Sequence, residues 1–261
     1  PRNYGSPRLS PDGRRIVVLD GTDSLWLQDT ARHVFTRLTP VETNTSYPAW
    51  TADGQRVMYR SVSGIHWIQA DGSGRGGTIA GTSQQDLPSS VSPDGETLAF
   101  LRLSPDTSGD IYVLSLHGDP KPRAFVKTAA YEGGPQFSPD GRWMAYASDE
   151  STAGVHQVYV QSFPQAGGKY QVSTGGGIAP RWRGDGRELY YVAPDAKLMA
   201  VAIRGESTLE AGQPAALFQT NIHEAGGYVS TDKQQYDVSA DGQRFLINTP
   251  SGDPPPNPIT V

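Results

Sequence analysis

The chain has 261 residues, of which 36% are hydrophobic, with 30 Gly, 21 Pro and no cysteine. A formal net charge of −5 and the absence of any Lys/Arg run exclude the clustered basic surface of a nucleic-acid-binding protein. Disulfides and thiolate metal sites are excluded with the cysteines, and no apolar run approaches the roughly 18 residues of a membrane span.

Short strand patterns separated by turn residues run through the whole chain, and they fall into sets of four. The first set is expected near Arg8-Leu9, Arg15-Leu19, Leu25-Gln28 and Phe35-Leu38. The second is expected at Ala49-Trp50, Arg56-Arg60, Ile65-Gln69 and Gly77-Ala80, the last weakened by Gly74, Gly76 and Gly77. Sets three and four are expected at Ser90-Val91, Thr97-Leu101, Ile111-Leu116 and Arg123-Val126, then at Gln136-Phe137, Trp143-Ala147, Gln157-Gln161 and Tyr170-Ser173. Set five uses Arg181-Trp182, Glu188-Val192, Leu198-Ile203 and Ala216-Gln219. The sixth offers Tyr236-Val238, Arg244-Asn248 and, after a Pro-rich stretch, Ile259-Thr260-Val261, with no fourth strand.

One Asp-Gly pair recurs in every set, at Asp12, Asp53, Asp94, Asp140, Asp185 and Asp241. Ser138-Pro139-Asp140-Gly141 is the model: Ser opens a type I turn, Pro presets φ, and Gly takes the left-handed position that closes a tight hairpin. Four residues after each Asp stand Ile16, Val57, Leu98, Met144, Leu189 and Phe245; three residues before stand Leu9, Trp50, Val91, Phe137, Trp182 and Val238. All twelve are apolar, so the frame extends into both flanking strands. The spacing of 41, 41, 46, 45 and 56 residues, with four strands per period, is that of propeller blades. The expected fold is therefore an all-β, six-bladed β-propeller forming one domain over residues 1–261. Its four-stranded antiparallel blades span about 6–39, 47–80, 88–127, 134–174, 179–220 and 235–261, the last incomplete. Blade six is expected to have three good strands, its outer edge open or weakly covered by Pro1-Gly5. The start at Pro1, without Met, and the end at Val261 inside an expected strand read as a portion of a longer protein.

The segments SPDGRRIVVLD, SPDGETLAFLR with DIYVLSL, and SPDGRWMAYAS with QVYVQSF resemble the repeats of TolB-type propellers. They resemble in particular the C-terminal propeller regions of bacterial eukaryotic-type serine/threonine kinases, in which a closing strand like Pro258-Val261 also occurs. The chain carries no kinase motif of its own, neither a Gly-rich loop with a Lys strand nor HRD nor DFG. The resemblance implies a sensor, scaffold or protein-interaction module of a larger signalling protein, outside the cytoplasm. Two departures stand out. The turns at Asp53, Asp185 and Asp241 lack the preceding Pro, which predicts less rigid hairpins, and the adjacent Asp and Gly do not match a sialidase Asp-box.

Function is expected at two places. Five of the six residues preceding the inner apolar anchors are polar, Arg8, Ser90, Gln136, Arg181 and Asp237, with Ala49 the exception. In a ring, Asp237 neighbours both Arg8 and Arg181. Two readings stay open: an ion-paired axial tunnel, or a tunnel-mouth site in which Arg8, Gln136, Arg181 and Asp237 take a small anion or a carboxylate-bearing partner. The second place is the face opposite the Asp-Gly turns, where loops of varied length offer Tyr47, Asp86, Tyr131, Glu132, His223, Glu224 and Tyr228 to a protein, peptide or small ligand.

Catalytic motifs are missing: there is no GxSxG elbow, and the five histidines match no HExxH or comparable cluster. No catalytic residue, metal or cofactor is assigned, and the recurring Trp26, Trp67, Tyr112, Trp143 and Tyr159 are read as packing between blades. The leading expectation is a non-catalytic binding or sensor propeller without membrane insertion in this portion. The competing one is a propeller hydrolase or lyase using His223, Glu224, Asp237 and Arg181 at the axial funnel.

Overall fold

The computed structural model describes residues 4–40, 44–118, 120–205, 208–222 and 235–249. Strands β1 (Tyr4–Leu9), β2 (Arg15–Asp20), β3 (Leu25–Asp29) and β4 (Phe35–Arg37) form the first sheet. The second holds β5 (Ser46–Trp50), β6 (Arg56–Ser61), β7 (Gly64–Gln69) and β8 (Gly76–Thr78). The third holds β9 (Asp86–Val91), β10 (Thr97–Ser104), β11 (Ser108–Ser115) and β12 (Arg123–Val126). The fourth is β13 (Glu132–Phe137), β14 (Trp143–Ser148), β15 (Gln157–Ser162) and β16 (Lys169–Gln171). The fifth contains β17 (Ile178–Trp182), β18 (Glu188–Val192), β19 (Lys197–Arg204), the short β20 (Glu210–Ala211) and β21 (Ala215–Gln219), the last two both paired to β19. A small sheet of β22 (Tyr236–Val238) and β23 (Phe245–Ile247) completes the described residues.

This is an all-β propeller of five antiparallel blades, four of them four-stranded and the fifth four-stranded with the extra two-residue β20, plus that small sheet. The first strand of each sheet lies beside the first strand of the next, and β22 lies between β17 and β1, so the circuit closes. The apolar anchors sit opposite one another in all six hairpins: Leu9 with Ile16, Trp50 with Val57, Val91 with Leu98, Phe137 with Met144, Trp182 with Leu189 and Val238 with Phe245. Their side chains share one face because alternate residues of a strand do. They fill the spaces between blades; Val17, Leu25 and Leu27 of the first sheet, for example, meet Trp50, Val57 and Ile68 of the second. Each such side chain contributes about 1.5–3 kcal/mol on burial.

The turns follow one plan. Gly13, Gly54, Gly95, Gly141, Gly186 and Gly242 all have φ between +65° and +77°, and each donates its N–H to the carbonyl three residues earlier. In five turns a Ser or Thr hydroxyl donates to the Asp carboxylate, as Ser138 does to Asp140 at 2.5 Å, and accepts the amide five residues on, as from Trp143 at 3.0 Å. Thr51 and Ser239 do the same, so two of the three turns without Pro keep the whole hydrogen-bond set. Asp185 has no hydroxyl partner; the Arg183 guanidinium takes that place at 2.7 and 2.5 Å.

The inner strands begin earlier than expected, and the reason is a repeated β-bulge. Ser6-Pro7 together oppose one residue of β2, and Tyr47-Pro48, Gly134-Pro135 and Ala179-Pro180 do likewise in their sheets. Ser6, Tyr47, Gly134 and Ala179 take positive φ of 48° to 63°. Proline is tolerated here because the axial side of an inner strand has no ladder partner to receive its N–H. Tyr4 and Gly5 pair with Asp20 and Leu19, so these residues extend blade one and do not cross to cover blade six. The expected strand Ile259-Val261 lies outside the described residues.

Candidate axial site

In four blades the residue after the bulge proline is the axial one: Arg8, Ala49, Gln136 and Arg181. Four of the five polar axial residues expected, Arg8, Gln136, Arg181 and Asp237, line one cavity of about 280 Å³ together with the fifth, Ser90, and with Trp50 and Trp182. Pro11, Pro93 and Pro139 of the Asp-Gly turns also line it, so it opens on the turn face, away from the variable loops. Ala49 is fully buried among Met58, Ile65 and Leu98 instead.

Backbone amides hold the single carboxylate. Asp237 Oδ2 accepts the Leu9 N–H at 2.8 Å, across 228 residues of sequence, and Oδ1 accepts the Val238 N–H at 3.0 Å. The two arginines flank it more loosely, with Arg181 Nε 3.4 Å from Oδ1 and Arg8 Nε 3.8 Å from Oδ2. Arg181 Nη1 donates to the Pro180 carbonyl at 2.8 Å, and Arg8 Nη2 reaches the Ser89 carbonyl at 3.5 Å. The remaining donors, Arg8 Nε and Nη1 and Arg181 Nε and Nη2, are buried without a hydrogen-bond partner among the described residues. Both side chains belong to residues more than nine-tenths buried, at 8% and 3% exposure. Burial, and next the Arg8 charge, pull the Arg181 pKa down to about 9, with Asp237 pulling the other way.

The other neighbours are spoken for. Gln136 Nε2 donates to the Ser89 carbonyl at 3.2 Å, and the Ser90 hydroxyl accepts the Phe137 N–H. The indole N–H groups of Trp50 and Trp182 donate to the Arg8 and Gln136 carbonyls at 3.1 and 3.2 Å, tying successive blades together. In the sequence those two indoles stand only as apolar anchors of the turn frame; the recurring Pro7, Pro48, Pro135 and Pro180 are the available signal for how the axial residues are presented.

The loop-face residues do not gather into one site. Asp86 and Glu132, expected on exposed loops, are instead the fully buried first residues of β9 and β13, because the bulged inner strands reach further than the apolar pattern suggests. Asp86 accepts both Nε and Nη2 of Arg102, at 2.6 and 2.8 Å, and the Ser83 N–H at 2.7 Å. Glu132 accepts the Thr128 hydroxyl and amide, and burial raises its pKa above the usual carboxylate range, with Asp110 and Glu150 adding to the shift. Tyr131 is half-buried, edge-on to His156 with centroids 5.4 Å apart. Tyr47, held by its bulge, lines a separate 480 Å³ cavity with Tyr4, Asp20 and Arg60. His223, Glu224 and Tyr228 lie outside the described residues, among which no group of three or more His, Asp or Glu is placed to hold a metal.

The chain is 24% identical over 166 residues to the "Uncharacterized peptidase YuxL" of Bacillus subtilis, across 59% of this chain and 24% of that protein. It thus spans about a quarter of the length of that curated relative. Among solved structures, TolB from Acinetobacter baumannii superposes with a TM-score of 0.69 at 18% identity, covering 93% of this chain and 59% of that one. The putative TolB from Agrobacterium tumefaciens superposes at 0.65 and 18% identity, covering 84% and 81%. At these identities the superpositions establish the fold alone. The model of the TolB beta propeller domain matches residues 67–234, well over half of the chain, and the chain belongs to that family.

Proposed function

We propose that this chain is a non-catalytic binding module, a six-bladed propeller within a larger signalling protein, whose protein, peptide or small-molecule ligand enters the axial cavity from the turn face. The small sheet β22–β23 is read as the described part of the sixth blade, since β22 occupies the inner position between β17 and β1. The observation that carries the functional reading is the pair of buried guanidinium groups lining the cavity with unmet donors. Buried donors left without partners cost stability, and a ligand that satisfies them recovers it.

A catalytic reading is favoured by the peptidase name of one relative, of which this chain matches a quarter. Against it, Asp237 is the one carboxylate among the described residues lining the cavity, and it sits between two cations with no base or second acid of those residues beside it. General acid/base work requires such a pair in reach of one substrate. The test is a ligand-observed NMR screen of short peptides and small metabolites against the whole chain and against Ala52→Trp. Ala52 lines the axial cavity from a turn, where it also borders a neighbouring 630 Å³ cavity, so a bulky side chain there narrows the axial cavity while both arginines are kept. Binders that are lost in Ala52→Trp support axial docking. Binders that survive it unchanged, or none at all, refute it.

A further inference from the structure

The axial cavity has a charge balance that names a ligand class, given the docking site proposed above. Two arginines face one aspartate, and among the described residues no other acidic residue lines the cavity, which leaves one positive charge uncompensated there. We propose that this cavity binds a monoanionic carboxylate, seated against Arg8 and Arg181 opposite Asp237.

Three features lead there. The first is charge: a buried net charge is costly, and one negative charge cancels the surplus. A dianion would overshoot, placing a second negative charge against the fixed carboxylate of Asp237, whose oxygens are held by the Leu9 and Val238 amides. The second is geometry. Both Nε atoms lie toward Asp237, at 3.8 and 3.4 Å, which leaves Nη1 of Arg8 and Nη2 of Arg181 as unmet donors, one on each guanidinium, to match the two oxygens of a carboxylate. The third is size and lining. About 280 Å³ admits a short acid or the last residue of a peptide, and falls at the lower end of ordinary small-molecule sites. Trp50 and Trp182 line the same space with their N–H groups already committed, so they offer apolar surface to whatever carries the carboxylate. The carboxylate belongs either to a free short acid or to a peptide C-terminus.

The experiment uses the whole chain, with calorimetric titration and thermal denaturation, at constant ionic strength set by chloride. The probes are butyrate, succinate, inorganic phosphate, N-acetyl-Ala-Ala and its C-terminal amide. The expected result is saturable binding of butyrate or of N-acetyl-Ala-Ala at least tenfold tighter than of either dianion, with no binding of the amide. A preference between the first two separates free acid from peptide terminus. Arg181→Gln is expected to lose at least tenfold in affinity, and Arg181→Lys, which keeps the charge but not the planar guanidinium, to lose less. Asp237→Asn raises the surplus to two charges and is expected to move the preference toward succinate. Should the arginine variants fail to fold, the amide control and the ratio of mono- to dianion affinity in the unmodified chain still decide the matter. Equal binding of acid and amide, or of mono- and dianions, overturns the assignment. If no carboxylate binds while other ligands remain sensitive to Ala52→Trp, the carboxylate class is wrong and axial docking stands; if nothing is sensitive to Ala52→Trp, both fall.

Discussion

The charge surplus at the axis has a consequence for stability that separates its two signs. Asp237→Asn keeps an oxygen for the Leu9 N–H but removes the negative charge that lies 3.4 and 3.8 Å from two buried guanidinium groups. At an effective dielectric constant of about 20, each such attraction is worth about 4–5 kcal/mol before desolvation is returned. Stripping a buried ion of its partner costs about 3–5 kcal/mol net. For a chain of this size that corresponds to a fall in Tm of roughly 6–20 °C. Arg181→Met acts in the opposite direction: it deletes two unmet buried donors and leaves Arg8 and Asp237 as a one-to-one pair. Its expected cost is about 1 kcal/mol or less, with a gain allowed, since apolar replacement of buried charge is often neutral or stabilising. Urea denaturation and calorimetry at pH 7 measure both. The reasoning is refuted if Arg181→Met costs as much as Asp237→Asn, because the axis would then be balanced and not cationic.

Three further outcomes are expected. Asp86→Asn breaks the two-pronged contact with Arg102 inside blade three and should cost about 3–5 kcal/mol, while leaving carboxylate affinity at the axis unchanged; altered affinity would mean that the two regions are coupled. Gly95→Ala meets no atom within 4 Å, so its whole effect is the left-handed backbone at φ +77°, about 1–2 kcal/mol in chemical denaturation; a loss below about 0.5 kcal/mol would show that the turn relaxes. Turn carboxylates govern the acid limit. Hydrogen bonds from Ser10 and Ser92 hold Asp12 and Asp94 below the ordinary aspartate value of 3.8, and Arg183 brings Asp185 to about 2. Because these folded-state values lie below the unfolded ones, their stabilisation is complete above pH 3.8 and is lost as pH falls toward about 2. Glu132 runs the other way: its raised value gives a contribution present below the unfolded value of 4.5 and lost as pH rises through the folded one. Ser92→Ala should therefore flatten the acid limb and Glu132→Gln should raise Tm at neutral pH; unchanged pH profiles in both would discount these pairings.

The fold was legible because its determinants are local. An Asp-Gly turn needs a hydroxyl before it, a glycine at positive φ and apolar residues at set distances, and all six turns carry the Asp, the glycine and the spacing. The axial residues were legible for the same reason, since a position counted back from each anchor strand falls at the same height in every blade. What escaped was the bulge. Ser6-Pro7, Tyr47-Pro48, Gly134-Pro135 and Ala179-Pro180, and a register shift between Pro88 and Ser90 in β9, insert a residue that breaks strict alternation, so the apolar pattern gives inner strands that are too short and leaves Asp86 and Glu132 on loops although they open buried strands.

By itself, then, the sequence determined the all-β repeat, the hairpin registers and, except at Ala49, which residue of each inner strand lines the axial cavity, because turn chemistry and period-two patterning act within a few residues. Only the tertiary structure decided what those residues do to one another. Ring closure brings Leu9 to Asp237 and sets Arg8 and Arg181 around the same carboxylate, pairs far apart in the chain. It also opens the cavity toward the turns and leaves guanidinium donors unmet inside it. Burial and net charge are sums over all neighbours in space, and no stretch of the chain contains that sum.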